Sequence, residues 1–334
     1  MKFRLKVIPA AAALAAAALA LAGCSGTSTS AQQSPSSEAS AASSSWPRTV
    51  KHENGETVIN AKPENIVSTS ITATGSLLAI NAPVKKTAAT NPSDITDSKG
   101  FFSQWASVAD ERGVGVLYPN LELDLEAVIA SDPDLIVVST SGADSVADHY
   151  KELSDIAPTI VVNYADKTWQ DLATELGEAT GHEDDAKSAI SEFDGTVKAA
   201  ADKIKHPSGN STIMNFNGAG NDSAVGKLTG THAKLLTQLG FKVTEAPEGL
   251  DSSKTPRSDF AFVSLENLPK AATAENLFVL SGEEAEVKAI LDEPVLANLP
   301  AVKAKTVHPL GKTSFRLDYY SGKQLVDLLT NTFS

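Results

Sequence analysis

Late in the chain, cations, aromatics and hydroxyls crowd into one run, Lys312-Thr313-Ser314-Phe315-Arg316-Leu317-Asp318-Tyr319-Tyr320-Ser321-Gly322. Such a set can meet an anionic aromatic ligand, with Lys312 and Arg316 supplying charge, the tyrosines hydrogen bonds, and guanidinium over ring a cation–π contact. The competing reading of the same spacing is a structural bridge from Arg316 to Asp318 or another carboxylate. An earlier run, Ser68-Thr69-Ser70-Ile71-Thr72-Ala73-Thr74-Gly75-Ser76, lies where a strand pattern ends and a helix pattern begins. Ligands of open α/β sheets bind at the carboxyl ends of strands. There the hydroxyls of Ser70 and Thr72, with first-turn amides, would hold anionic oxygens. Simple N-capping by Ser and Thr explains the run equally well.

Signatures of catalysis are mostly missing. The chain has no Gly-x-Ser-x-Gly elbow, no His-Glu-x-x-His pair and no Ser-x-x-Lys of the β-lactamase kind. Gly311-Lys312-Thr313 imitates the end of a phosphate-binding loop, but Thr306 stands where its first glycine is required. The six histidines, His52, His149, His182, His206, His232 and His308, form no i,i+4 pair. With one cysteine there is no intramolecular disulfide and no thiolate metal site. If a ligand contains a metal, that metal should arrive already chelated.

That one cysteine, Cys24, has its own chemistry. It follows Lys2, Arg4 and Lys6, an Ala/Leu-rich stretch from Ile8 to Leu21, and the small residues Ala22-Gly23. This is the layout of a secretory signal over 1–23. A thiol at the cut can carry a diacylglycerol, and two or more acyl chains hold a protein stably on a membrane. Residues 24–45, nearly all Ser, Ala, Thr, Gln, Gly and Pro, lack the apolar surface to form a core and read as a tether. No second long apolar run follows, so the membrane is reached through lipid only. The chain carries 28 basic and 41 acidic residues, and the leader takes three of the basic ones and no acidic one. Nucleic acid is therefore excluded as a natural partner. An anionic small ligand is not, because screening over about 8 Å lets a few local arginines outweigh distant carboxylates.

The elements that must position these residues alternate. Strand patterns at 66–70, 135–139, 159–163, 212–216, 260–264, 277–281 and 306–310 are separated by amphipathic helical stretches, as in an α/β fold with mostly parallel pairing. One stretch differs. From Glu183 to Lys205 the apolar residues Ala186, Ile190, Phe193, Val197, Ala200 and Ile204 trace one face of a helix about 34 Å long at ~1.5 Å per residue. It is either a spine between two lobes or an ordinary long helix within one domain. The corresponding division is an N-terminal lobe over 46–181, a linking helix over 182–206 and a C-terminal lobe over 207–334.

From about Trp46 to Phe333 the chain resembles the periplasmic ferric enterobactin-binding proteins, the substrate-binding components of iron–siderophore ABC importers. The residues that carry the resemblance are Ile66-Val67-Ser68-Thr69-Ser70, Thr74-Gly75-Ser76-Leu77-Leu78-Ala79-Ile80 and the run from Ser314 to Ser321, supported by Gln104-Trp105, Ile156-Ala157-Pro158-Thr159, Thr180-Gly181-His182-Glu183 and Leu299-Pro300-Ala301-Val302. The resemblance implies two Rossmann-like α/β lobes bridged by a single long helix, the class III helical-backbone plan, with ligand gripped between the lobes. It implies a monomer with no enzymatic activity and no cofactor that binds an Fe(III)–siderophore complex, catecholate in type, and passes it to an ABC permease; anchoring on the extracytoplasmic face of the cell membrane is read from Cys24 instead, since members of the family are typically free in a periplasm. Arg316 matches the arginine of the family's C-terminal motif and Arg257 a second basic position. Glu126 and Glu266 match the carboxylates that dock each lobe onto the permease; a solvated glutamate at a helix start is the alternative. Two departures stand out. An acidic residue occupies Ser93-Asp94-Ile95, where the family can present arginine, and no tryptophan occurs near Gly226-Lys227. Phe101, Phe102, Trp105 and Tyr118 are candidates for an aromatic wall, with core packing the competing reading for at least two of them. Haem, cobalamin or a hydroxamate siderophore are alternative ligands on the same plan. A secreted hydrolase or cell-wall module is the alternative from another class.

Overall fold

The computed structural model describes residues 45–254 and 257–334. The leader and Cys24 lie outside the described residues, as does nearly all of the expected tether. Chain 45–334 begins with an antiparallel hairpin, β1 (Arg48–His52) and β2 (Gly55–Ile59). It leans on the edge of the first sheet, where Thr57 donates to the Thr159 carbonyl at 2.7 Å and the Glu53 amide to the Val161 carbonyl at 2.9 Å.

The first lobe is built on β3 (Ile66–Ser68), β4 (Val84–Thr87), β5 (Gly115–Val116), β6 (Leu135–Ser139) and β7 (Thr159–Val162), in the order β5-β4-β3-β6-β7 and parallel throughout. Helices cover both faces, which is why β6 and β7 are mostly apolar and β-branched, with every residue buried. The second lobe holds β8 (Ser211–Asn215), β9 (Ser223–Gly226), β10 (Phe260–Val263), β11 (Asn276–Val279) and β12 (Val307–Pro309), ordered β10-β9-β8-β11-β12. Here β9 runs against both of its neighbours. The expected parallel pairing thus holds for the first sheet and gives way to a mixed sheet in the second. The link from Phe216 to Asp222 is too short for the crossover that a parallel neighbour needs.

The chain passes between the lobes through a helix over Glu183–Ala201. Its buried face is Ala186, Ala189, Phe193, Val197 and Ala200, and Glu183, Asp184 and Asp185 stand in its first turn, where the helix dipole favours carboxylates. It packs against the helices Ile71–Ala79 and Trp169–Thr180 of the first lobe and Thr231–Gln238 and Tyr319–Phe333 of the second. The sequence pattern extends it to Lys205. The regular helix ends at Ala201, although the Ile204 amide still donates to the Ala200 carbonyl at 3.0 Å; the Lys205 amide then donates to the Phe333 carbonyl at 2.6 Å, tying the exit of the spine to the end of the last helix.

That last helix, Tyr319–Phe333, returns against the first lobe. Asp318 caps it, accepting from the amides of Tyr320 at 2.9 Å and Ser321 at 2.8 Å, while Ser321 Oγ accepts from the Asp318 amide. Its carboxylate also accepts from Gln104 Nε2 at 3.2 Å and lies so close to the helix Ile71–Ala79 that a Cβ at Gly75 would stand 2.6 Å from Oδ2 and 3.1 Å from a carbon of Trp105. Only glycine fits. Gly75→Ala should therefore cost about 1–3 kcal/mol through overpacking. Gly195→Ala, in the long helix with nothing within 4 Å of a new Cβ, should stabilise by about 0.5–1 kcal/mol. Thermal and urea unfolding of both variants checks this, and equal midpoints would contradict the packing described.

Candidate functional site

A cleft separates the two sheets, with about 980 Å³ of space free of protein atoms, part of it open to solvent. On the first-lobe side every lining residue comes from a segment that follows the carboxyl end of a strand. Thr72 and Ser76 follow β3, Phe102 and Gln104 follow β4, Gly142 follows β6, and Tyr164 and Lys167 follow β7. The second lobe contributes His232 at the start of its helix, Arg257, Asp259 and Phe260 at the entry to β10, and Phe315 and Arg316 after β12.

Arg316 projects into this space between rings. Its guanidinium carbon stands 5.1 Å from the Phe102 ring centre and 6.0 Å from that of Phe315. Among the described residues it enters no ion pair, since the nearest candidate in sequence, Asp318, is committed to capping the last helix. Burial pushes the Asp318 carboxyl above the usual carboxylate range, against the pull of its hydrogen bonds. The structural bridge open in the sequence does not form. Arg257 is different, because its Nε and Nη2 donate to the two oxygens of Asp259 at 2.8 and 2.6 Å, a bidentate fork. The hydrogen bonds to Asp259 hold its guanidinium pKa above the ordinary arginine value.

Across the cleft, Tyr164 donates its hydroxyl to Asp144 Oδ1 at 2.6 Å. Asp144 is buried and also accepts from Ser70 Oγ at 2.7 Å and the Thr72 amide at 3.0 Å. Burial first, then the Asp144 charge, push the Tyr164 phenol up, while Arg316 pulls it back. Tyr164 is therefore neutral and available as a polar aromatic group. A Cβ at Gly142 would fall 1.8 Å from that hydroxyl, and φ there is +77°, so this turn requires glycine. His232 is buried against Phe260 with Nε2 at 2.7 Å from the Ser314 carbonyl, which makes Nε2 the protonated nitrogen. Burial lowers its pKa and keeps the imidazole neutral.

Of the residues the sequence singled out, Arg316, Arg257 and Thr72 line the cleft together. Lys312 lines its flank beside Arg316 and Phe102, where it reaches Asp94 of the first lobe at 3.4 Å and Glu283 at 3.3 Å. Ser70, Tyr118 and Trp105 do not reach the cleft. Ser70 is fully buried and caps its helix, accepting from the Ala73 amide. Tyr118 is 2% exposed with its hydroxyl on the Thr69 carbonyl, and Trp105 is fully buried against Phe101 and Phe102. Both aromatics are core. The anion-holding reading of the Ser68 to Ser76 run is corrected in the same way, since the first-turn amide of Thr72 is satisfied by the chain's own Asp144. The aromatic wall comes from Phe102, Phe260, Phe315 and Trp169. Sequence reasoning missed Asp144, Tyr164 and His232; the one local signal was Gly142 followed closely by an acidic residue after an apolar strand. Glu126, in the first turn of Leu125–Ile129, and Glu266, in a 3-10 turn after β10, are exposed and lie outside the cleft. Among the described residues no three His, Cys, Asp or Glu side chains gather as a metal site, and no helix is long and apolar enough to cross a membrane.

Known proteins share this fold. The family model for periplasmic binding proteins matches residues 66–313. The ferric enterobactin-binding periplasmic protein FepB of Escherichia coli O6:H1 is 42% identical over 294 residues, 87% of this chain and 92% of that protein. The crystal structure of holo-ViuP superposes with a TM-score of 0.81 at 39% identity, covering 87% of this chain and 96% of that one. A FhuD fold-family periplasmic binding protein from Bacillus subtilis, at 23% identity and a TM-score of 0.61 over 85% and 98% of the two chains, shares the two-lobed helical-backbone fold. On this family match, identity and shared fold, the chain belongs to the periplasmic binding proteins, whose part in transport is to bind and not to catalyse.

Proposed function

We propose that this protein captures a ferric siderophore of the catecholate class between its lobes and delivers it to an ABC permease while tethered to the extracytoplasmic face of the membrane through lipid on Cys24. The observation that carries the reading is Arg316, a guanidinium without a carboxylate partner among the described residues, set between Phe102 and Phe315 in a cleft that also presents Arg257 and the neutral Tyr164. A ferric tris-catecholate is a trianion with aromatic edges, so it answers both the charge and the rings. A ferric trihydroxamate is neutral and gains little from Arg316. The likeness to FepB, a ferric enterobactin-binding protein, supports the same class. Iron is cargo here, held by its chelator, and the protein needs no cofactor of its own. The lobes at 46–181 and 207–334, joined through 182–206, belong to the same proposal, as does action as a monomer.

Titration with ferric enterobactin, ferric hydroxamates, haem and cobalamin, followed by tryptophan fluorescence, to which Trp169 in the cleft wall contributes, separates the ligand classes. The catecholate alone should quench strongly; silence toward it, or a stronger response to one of the others, removes the proposal. Arg316→Ala should weaken ferric enterobactin binding at least tenfold, about 1.4 kcal/mol. Unchanged affinity would return Arg316 to a structural role.

Glu126 and Glu266, both exposed, are the proposed docking carboxylates for basic residues of the permease. The double variant Glu126→Ala, Glu266→Ala should keep its ligand affinity and lose iron–siderophore uptake in cells. Normal uptake would remove the docking assignment and leave the binding function standing.

A further inference from the structure

The two cleft arginines are not electrically equal. Arg316 enters no ion pair among the described residues, while Arg257 is neutralised by the Asp259 fork. The other buried or half-buried carboxylates near the cleft serve the fold. Asp144 holds Ser70, Thr72 and Tyr164; Asp318 caps a helix; Asp251 accepts from the amides of Ser253 and Phe262 and from Lys227 Nζ. Asp259 has no such duty. Among the described residues its carboxylate accepts from Arg257 alone. The segment that carries the fork is held without it: Lys227 Nζ donates to the Arg257 carbonyl at 2.7 Å, the Lys227 amide to the Asp259 carbonyl at 2.8 Å, and Thr229 Oγ1 to the Ser258 carbonyl. A carboxylate that the fold does not need, facing the ligand space, subtracts one positive charge from it.

We propose that Asp259 is the charge-selectivity determinant of this cleft, lowering its preference for the most highly charged ferric complexes by cancelling Arg257. This rests on the ferric catecholate reading above and assigns a role within that site. An anionic ligand reaching Arg257 meets a guanidinium with Nε and one Nη2 hydrogen already taken and a negative charge immediately behind them. The Coulomb penalty scales with ligand charge, so a tris-catecholate complex, at three negative charges, feels it about three times as strongly as a bis-catecholate complex at one.

The test uses the purified protein, ferric enterobactin and the ferric complex of a linear bis-catecholate. Asp259→Asn keeps the shape and one acceptor for Arg257 while removing the charge. It should bind ferric enterobactin about tenfold more tightly than wild type and the bis-catecholate complex only about twofold more tightly, on the scale of exposed charge interactions. The gain should shrink at about 0.5 M salt, where screening acts over a few ångströms. Asp259→Glu, which retains the charge, should stay near wild type. An Asp259→Asn affinity for ferric enterobactin no higher than wild type, an equal gain for both ligands, or a matching gain in Asp259→Glu would overturn the assignment. Wild-type protein that binds neither catecholate complex would instead overturn the ligand reading itself, and this role with it.

Discussion

The buried carboxylate of Asp318 is the constraint on which the geometry of the cleft depends. It stands where the last helix begins, where that helix meets Gly75 of the first lobe, and within reach of Gln104. A carboxylate so far from water is tolerated only because backbone amides and side-chain donors surround it. Those donors fix its direction, and with it the path of the two residues before it. Arg316 is held in the cleft because its neighbour in sequence is anchored in the floor. Had the carboxylate turned to Arg316, the helix would have lost its cap and the cleft its uncommitted cation.

The same floor shows how the lobes are tied. The chain crosses between them in the helix Glu183–Ala201, but Tyr319–Phe333 lies alongside that spine and against the first-lobe helix Ile71–Ala79. Trp169, Phe193 and Tyr319, from the helices Trp169–Thr180, Glu183–Ala201 and Tyr319–Phe333, meet there at centroid separations of 5.0 to 6.4 Å. A Cβ at Gly322 would fall 2.8 Å from Phe193, so the last helix sits as close to the spine as a glycine allows. Two packed helices beneath the cleft resist bending more than one would.

Much of this was legible in the sequence, and the exceptions have physical causes. Strands such as Leu135–Ser139 are near-continuous apolar runs, and the spine announced itself through the spacing of Ala186, Phe193, Val197 and Ala200. The hairpin β1–β2 and strand β9 were missed because their runs are short and half polar, and pairing with distant chain decides them. In the site, Arg316 and Arg257 stood out by type. Trp105 and Tyr118 stood out as well, yet they belong to the core, because composition cannot say which face of a segment points inward. Asp144 was marked only by the glycine two residues before it and Tyr164 not at all; they become a pair only when the segments after β6 and β7 are brought side by side.

An acidic chain that presents arginines to a ligand must dispose of its own carboxylates. The net charge of −13 acts mostly from surfaces beyond the roughly 8 Å over which charges are felt at physiological salt. The carboxylates inside that range matter more, and most are turned away from the cleft by their donors. Asp144 is enclosed by a helix amide and two hydroxyls, Asp251 by amides, a serine and a lysine, and Asp318 by its cap. Each such hydrogen bond, from an amide, a hydroxyl or an ammonium, offsets negative charge on the carboxylate and leaves less of it facing the ligand. Asp259 alone among these side chains faces the cleft with a cation as its single partner among the described residues, so the field a ligand meets is set by a few named residues and not by the composition of the chain.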